Sequence, residues 1–119
     1  MDLTPLIPAG RQIVESYGGG RFRLSGRVFE GSVLVLTDRT ELWPVADVAS
    51  MTIENLAAVA EAARAGGVDL LLVGCGARMV PLPLALRQAF RTLGVVTEPM
   101  DTGAACRTYN FLMAEGRRI

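Results

Sequence analysis

The sequence predicts an α/β fold: a three-layer single domain whose mixed central sheet starts with an N-terminal β-hairpin and continues with βαβα units. Apolar residues in the first half alternate with a period of two, which is typical of half-buried strands. In the second half, apolar runs alternate with segments of helical periodicity, the order that builds a parallel sheet with helical crossovers. With 119 residues, half of them apolar, the chain has the length and composition of one domain.

The N-terminal boundary of this domain is predicted from glycine. Residues 18–20 are three consecutive glycines, a run whose backbone entropy neither a helix nor a central strand tolerates. We therefore expect a flexible N-terminal segment over residues 1–20 and a single α/β domain over residues 21–119.

The predicted hairpin consists of two apolar stretches. Alternation over residues 21–30 predicts one strand, and residues 33–36 predict its antiparallel partner. Arg21, Arg23 and Arg27 have the same parity along the first strand, so we expect them on one face. That face is either solvated or meets an anionic partner or lipid surface.

The elements of the second half are predicted from their spacing and their ends. Thr52 is a good N-cap for a first helix. The strand after it is an apolar run without alternation, which is typical of a strand buried on both faces. The predicted elements are a helix at 53–65, a strand at 70–73, a helix at 84–93, a strand at 95–100 and a helix at about 104–115.

The composition excludes several kinds of chemistry. Twelve acidic residues balance twelve basic ones, all of them arginine, and histidine is absent. Without imidazole there is no base for a Ser-His-Asp or Cys-His pair, and without lysine there is no Schiff base or P-loop lysine. No segment has the clustered positive charge that nucleic acids require. We therefore expect no nucleic-acid partner.

Cysteine usage and the N-terminus indicate the compartment. Cys75 and Cys106 are too few for a disulfide scaffold and lack a metal-binding spacing. The sequence has no signal-peptide pattern and no apolar run long enough to span a bilayer. We expect reduced thiols in a cytoplasmic protein, at most peripheral to the inner membrane.

A candidate crevice is predicted where two parallel strands end, because the loops that leave neighbouring strands there meet. The chemistry-bearing residues expected to converge are Cys75, Met79, Asp101 and Cys106. The Gly-Cys-Gly run at 74–76, with an acid about twenty residues further on, also fits a dinucleotide loop. A third glycine is missing, however, and two prolines delay the next helix, which favours a simple turn.

Cys106 allows two interpretations. At the start of a helix beside Arg107 it could be a reactive thiolate with a lowered pKa. With Tyr109 and Met113 at helical spacing, it could instead be a small apolar residue of the core. The core is favoured, because a nucleophile without histidine needs another base. Asp101 is better placed to cap the helix.

Arg107 and Asn110 lie at the edge of the same helix face. They could line a pocket, or hold the glycine loop at 74–76 through hydrogen bonds. The structural role is favoured, because most side-chain hydrogen bonds go to backbone or water. The candidate crevice or conformational site comprises Gly74, Cys75, Gly76, Asp101, Thr102, Gly103, Cys106, Arg107, Tyr109 and Asn110.

Several strings in the chain carry a family resemblance. They are MDTGAACRTYNFLMAEGRR, YGGGRFRLSG, GSVLVL, LWP and LLLVGCG. From about residue 13 to residue 119, the chain resembles respiratory complex I assembly factor three and its prokaryotic relatives. The signature of that family falls here on Asp101, Gly103, Cys106, Arg107, Thr108, Tyr109, Asn110, Glu115 and Arg117.

The resemblance implies a three-layer α/β fold with a mixed sheet. It also implies protein binding during assembly of a membrane complex, with no established catalytic residue and no cofactor. Relatives often have threonine where Cys75 stands, which makes that residue a poor nucleophile. They also continue past residue 119 with another apolar strand, so we expect an unpaired sheet edge.

Two hypotheses from different classes follow. The first is a non-enzymatic protein-binding or assembly-assisting protein, a monomer or weak dimer whose partner is a subunit of a membrane complex. The second is a small-molecule-binding or thiol-dependent enzyme that uses the crevice around Cys75, Asp101, Cys106 and Arg107.

Overall fold

The computed structural model describes residues 7–119, so the first six residues of the predicted flexible segment lie outside it. The described chain contains seven strands, three α-helices and a short 3₁₀ turn at Val48–Ser50. The strands are β1 Val14–Gly18, β2 Arg21–Leu24, β3 Arg27–Glu30, β4 Val33–Val35, β5 Thr40–Leu42, β6 Leu70–Gly74 and β7 Val96–Met100. The helices are α1 Ala57–Arg64, α2 Leu84–Thr92 and α3 Thr102–Ala114.

The predicted α/β class is confirmed. Hydrogen bonds divide the strands into three sheets, namely an antiparallel β1-β2-β3 sheet, an antiparallel β4-β5 pair and a parallel β6-β7 pair. The parallel pair is joined by α2, as the βαβ pattern of the second half predicted. Antiparallel and parallel strands therefore occur in the same chain, in the predicted order.

The first strand begins earlier than predicted. The sheet was expected from residue 21, but β1 starts at Val14 and pairs with β2 along its length. Gly18, Gly19 and Gly20 all have positive φ angles and make the turn between these strands. The glycines thus form a tight reversal rather than a hinge, because left-handed backbone is easily reached without a Cβ atom.

The hairpin also differs from the prediction. Ser25 and Gly26 have φ angles of 46° and 83° and turn the chain back on itself, as in a two-residue hairpin loop. Residues 21–30 therefore form two strands rather than one, and β4 pairs with β5 instead. Serine rarely adopts left-handed backbone, so the residue type at position 25 did not indicate this turn.

The same turn separates the three arginines. Leu24 lies opposite Arg27, so the turn changes the parity of β3 relative to β2. Arg27 therefore shares a face with Phe29 and lies over its ring at 5.0 Å. The expected single arginine face is wrong.

The helices begin close to their predicted positions, except for α1. Thr52 was expected to cap α1, but its hydroxyl accepts from the N–H of Asn55 at 3.1 Å within a preceding turn. The helix itself starts at Ala57. Asp101 caps α3, its carboxylate accepting from the N–H of Ala104 at 2.8 Å, so α3 begins two residues before the predicted start.

Two apolar clusters lie on opposite sides of β4 and β6. One contains Leu34 and Val73, with α1 and α2 against it. The other contains Cys106 and Met113 of α3, with Val33, Val35, Leu70 and Leu72 packed against it. Successive residues of both strands thus face different clusters, which places β4 and β6 in the middle layer of three.

Candidate functional site

The loop after β6 is bonded directly to the start of α3. Thr102 donates its N–H to the carbonyl of Gly76, and its hydroxyl accepts from the N–H of Gly76, both at 2.9 Å. The N–H of Cys75 donates to the carbonyl of Met100 at 2.8 Å. These loop N–H groups are occupied, so the interpretation of a dinucleotide loop loses the donors that would bind a pyrophosphate.

Gly74 allows this close approach. A Cβ atom at Gly74 would lie 3.2 Å from the Cα atom of Thr102 and 3.5 Å from the Cβ atom of Ala105. The end of β6 and the first turn of α3 therefore pack backbone to backbone. Glycine is needed at this position for space, whereas Gly76 adopts a φ of 90° that favours glycine by conformation.

Cys106 lies in the core, as the favoured interpretation predicted. Its side chain is 8% exposed and belongs to the cluster under α3. Burial raises the pKa of the thiol above its ordinary value, and the opposing effect of Arg107 is smaller. Cys106 is therefore a poor thiolate at neutral pH.

Cys75 is half-buried beside the loop. Its thiol lies 3.5 Å from the carbonyl oxygen of Val73 and 3.7 Å from that of Val80. Cys75 and Cys106 both line the central groove described below, but Met79 and Asp101 do not. The expected convergence of all four residues is therefore found for the two cysteines alone.

Arg107 is directed toward the first strand. It donates to the hydroxyl oxygen of Tyr17 at 2.7 Å. A Cβ atom at Gly103 would lie 3.1 Å from both atoms of this hydrogen bond. Gly103 therefore leaves the room that the pair occupies.

Asn110 and Tyr109 also hold the N-terminal strand. The Asn110 amide accepts from the N–H of Val14 at 2.9 Å and donates to its carbonyl at 2.7 Å. Tyr109 donates its hydroxyl to the carbonyl of Gln12 at 2.7 Å, and burial raises its pKa. The expected bonds from Arg107 and Asn110 to the glycine loop are absent among the described residues. Thr102 holds that loop instead.

A larger feature was missed by sequence reasoning. A groove of about 840 Å³, here called the central groove, opens between β4 and β6. Its lining is mostly apolar and includes Phe22, Val33, Trp43, Leu71, Val73 and Cys106. Apolar strand residues gave no motif that could reveal it.

Across residues 7–119, no three His, Cys, Asp or Glu side chains come together as a metal-binding group. No helix in the same range is both long and apolar enough to cross a membrane.

Comparison with known proteins supports the resemblance. A bacterial protein from Rhodobacter capsulatus, described as uncharacterized, is 41% identical over 93% of this chain and 82% of its own length. The human protein named NADH dehydrogenase [ubiquinone] 1 alpha subcomplex assembly factor 3 is 29% identical over 87% of this chain. The chain spans only 55% of that human protein.

The fold is shared with a solved structure. A Bordetella pertussis protein described as an Mth938-like domain superposes with a TM-score of 0.81 at 30% identity. The match covers 99% of this chain and 88% of that one. Residues 14–119 match the family described as "Protein of unknown function (DUF498/DUF598)". The chain therefore belongs to the DUF498/DUF598 family.

Proposed function

We propose that this chain is a non-enzymatic protein that binds other proteins and assists the assembly of a membrane respiratory complex. It would act from the cytoplasm, at the periphery of the inner membrane. The similarity to an assembly factor of NADH dehydrogenase supports this role. The partner would be a subunit of that complex, bound by a chain that is itself a monomer or weak dimer.

One observation carries the non-enzymatic part of the proposal. Five polar side chains of the signature region make hydrogen bonds within the protein: Asp101 to α3, Thr102 to the glycine loop, and Arg107, Tyr109 and Asn110 to the N-terminal strand region. A catalytic acid or base must reach a proton on the substrate. These side chains are engaged in holding elements together.

A thiol enzyme is the weaker candidate. It would need an exposed, ionised cysteine, whereas Cys106 is buried and burial raises its pKa. Alkylation with iodoacetamide across pH 6–10, followed by peptide mapping, tests this candidate. We expect Cys75, which is more exposed, to react before Cys106. Fast modification of Cys106 at pH 7 in the folded protein would favour the enzyme.

A small apolar ligand is a second candidate, favoured by the volume of the central groove. About 840 Å³ lies within the range of roughly 300–1,000 Å³ that ligand pockets occupy. Native mass spectrometry of the protein purified from bacterial cells would detect such a ligand. A single retained mass, lost on denaturation, would favour this function over protein binding.

Affinity capture tests the assembly role. The tagged chain is incubated with detergent extracts of bacterial membranes that contain NADH dehydrogenase, and captured proteins are quantified against beads alone. We expect subunits of that complex to be enriched. A variant with Phe111→Ala, at an exposed position of α3 outside the central groove, serves as a matched surface control. Enrichment of no subunit would contradict the proposal.

A further inference from the structure

We propose that the loop between β6 and α2 docks this protein onto an anionic lipid bilayer, with its apolar side chains below the headgroups and its arginines at the lipid phosphates. This inference rests on the proposed function, because it names the surface with which the protein would meet the membrane. It follows from three observations on residues 76–91: exposed apolar side chains, arginines without an acidic partner, and a loop that is fixed at both ends.

The apolar side chains of this loop lie outside the core. Met79 is 56% exposed, Val80 is 42% exposed, and Leu84 at the start of α2 is 59% exposed. Pro81 is also exposed. Single exposed apolar residues are common on proteins, but three in succession along the chain indicate contact with another molecule. This region, here called the loop surface, comprises Arg78, Met79, Val80, Leu84 and Arg87.

The loop is held at both of its ends. Gly76 forms two hydrogen bonds with Thr102. Leu82 is buried in the apolar cluster beside α1 and α2, and the carbonyl of Pro83 accepts from the N–H of Arg87 at 3.1 Å in the first turn of α2. The exposed residues between these points therefore extend from a held backbone, so docking them costs little additional conformational entropy.

The charge along this part of the chain has one sign. Residues 70–97 contain Arg78, Arg87 and Arg91 and no acidic residue, although the whole chain has a net charge of zero. All three arginines are exposed. In the part of the chain that the structure describes, none of them forms an ion pair, whereas four other arginines each contact a carboxylate. Their guanidinium groups are thus available to an anionic surface.

The arginines lie on both sides of the apolar residues. Arg78 directly precedes Met79 in the loop. Leu84 and Arg87 are three residues apart in α2, and Arg91 follows after four more, so these side chains share one exposed face of the helix. The buried residues of α2 lie on another face and pack into the core. The loop surface therefore combines an apolar centre with a cationic margin.

A lipid surface fits this combination better than an acidic protein does. The anchors of a protein interface are commonly aromatic and fill pockets. The loop surface contains no aromatic residue, and a fluid bilayer requires no matching shape. At a membrane interface, apolar side chains enter below the headgroups while arginine reaches the phosphates with its long stem. Anionic lipids attract each nearby cation further.

Cosedimentation with vesicles tests the proposal. The full chain is mixed with sucrose-loaded vesicles of phosphatidylcholine and phosphatidylglycerol in equal parts, or of phosphatidylcholine alone. We expect saturable binding to the anionic vesicles and binding to the neutral ones that is weaker by about tenfold or more. Equal binding to both kinds of vesicle, or binding to neither, would overturn the proposal. Release by inorganic phosphate at constant ionic strength would assign the arginines to a free anion and also overturn it.

A pair of apolar substitutions tests the centre of the loop surface. Met79→Ser combined with Val80→Ser removes exposed apolar area, so we expect about tenfold weaker binding to the anionic vesicles. Val28→Ser makes the same kind of change at a residue of β3 that is also exposed, and it should bind as the unmodified protein does. If the loop variant binds as tightly as this control, the loop does not enter the bilayer.

A pair of charge substitutions tests the margin. Arg78→Gln combined with Arg87→Gln should weaken binding to anionic vesicles about thirtyfold, as two cations near the surface would give. Arg27→Gln combined with Arg64→Gln changes two exposed arginines of β3 and α1 and gives the same net charge, so it should bind normally. An equal loss in both double variants would show that overall charge controls binding and would overturn the assignment of the loop surface.

Capture from detergent extracts separates this inference from the proposed function. Because detergent removes the bilayer, Met79→Ser with Val80→Ser should capture subunits of the respiratory complex as well as the unmodified protein does. Loss of capture in that variant would make the loop surface a protein contact and overturn lipid docking. Capture by an unmodified protein that binds no vesicles would refute docking alone. Vesicle binding without capture of any subunit would refute the assembly role and support the lipid contact.

Discussion

The first turns of α3 and the central groove lie side by side but differ in the side chains that form them. Asp101 caps α3, and Thr102, Arg107 and Asn110 of the helix each bond to another part of the chain. The central groove is lined mostly by apolar side chains, among them Val33, Leu71 and Val73. The residues most conspicuous in the sequence therefore build the scaffold, and the groove is lined by ordinary apolar residues.

The largest effect on stability should come from loss of the two hydrogen bonds between Asn110 of α3 and Val14 of β1. Asn110→Leu keeps the approximate volume but leaves the N–H and C=O of buried Val14 without partners. We expect a loss of about 2–4 kcal/mol in the free energy of unfolding, since each unsatisfied group costs about 1–3 kcal/mol. Urea denaturation provides the measurement.

Phe111→Ala is the neighbouring control for this variant. Phe111 is 64% exposed on the same helix, so we expect a change within about 0.5 kcal/mol. If Asn110→Leu were as mild as this control, Asn110 would be a surface residue in solution. The contrast between the hydrogen-bonded side chains of α3 and the apolar lining of the groove would then not hold.

Loss of one hydrogen bond at the glycine loop should have a smaller effect on stability. Thr102→Val removes the hydroxyl that accepts from Gly76 but leaves the backbone bond between the same residues. We expect a loss of about 1 kcal/mol and faster amide exchange at Gly76. Thr102→Ser retains the hydroxyl and should restore the slow exchange. Fast exchange in both variants would show that the methyl group, rather than the hydrogen bond, orders the loop.

These elements also show what the sequence could predict. The βαβ order, α2 and the capping role of Asp101 followed from periodicity and residue type. The turn at Ser25 and Gly26 did not, because its left-handed backbone departs from the preference of serine. Because of that one turn, β4 pairs with β5 rather than with residues 21–30. For the same reason, Arg27 lies on the other face of the sheet from Arg21 and Arg23.

The candidate site could also be predicted only in part. Burial of Cys106 followed from its spacing with Tyr109 and Met113 along one helix. The partners of Arg107 and Asn110 lie about ninety residues away in sequence, on β1. A segment expected to be flexible could not be foreseen as their partner. The groove depends on two strands being separated in space, a property that periodicity along the chain does not encode.

The buried ionisable groups under α3 predict a modest sensitivity to alkaline pH. Burial raises the pKa of the Cys106 thiol and that of the Tyr109 hydroxyl above their ordinary values. The unfolded state therefore loses these protons first, so stability falls as pH rises above about 9. Urea midpoints measured from pH 7.5 to 10.5 should decline, and Tyr109→Phe with Cys106→Ala should flatten the decline. An unchanged slope would place the responsible groups elsewhere.

The smallest effect should come from Arg107, whose bond to Tyr17 lies at the surface. We expect Arg107→Gln and Tyr17→Phe each to cost less than about 1 kcal/mol, as exposed pairs do. Subunit capture distinguishes their roles. If Arg107 only ties α3 to β1, both variants capture equally well. If capture falls in Arg107→Gln but not in Tyr17→Phe, the guanidinium itself contacts the partner, and α3 belongs to the binding surface.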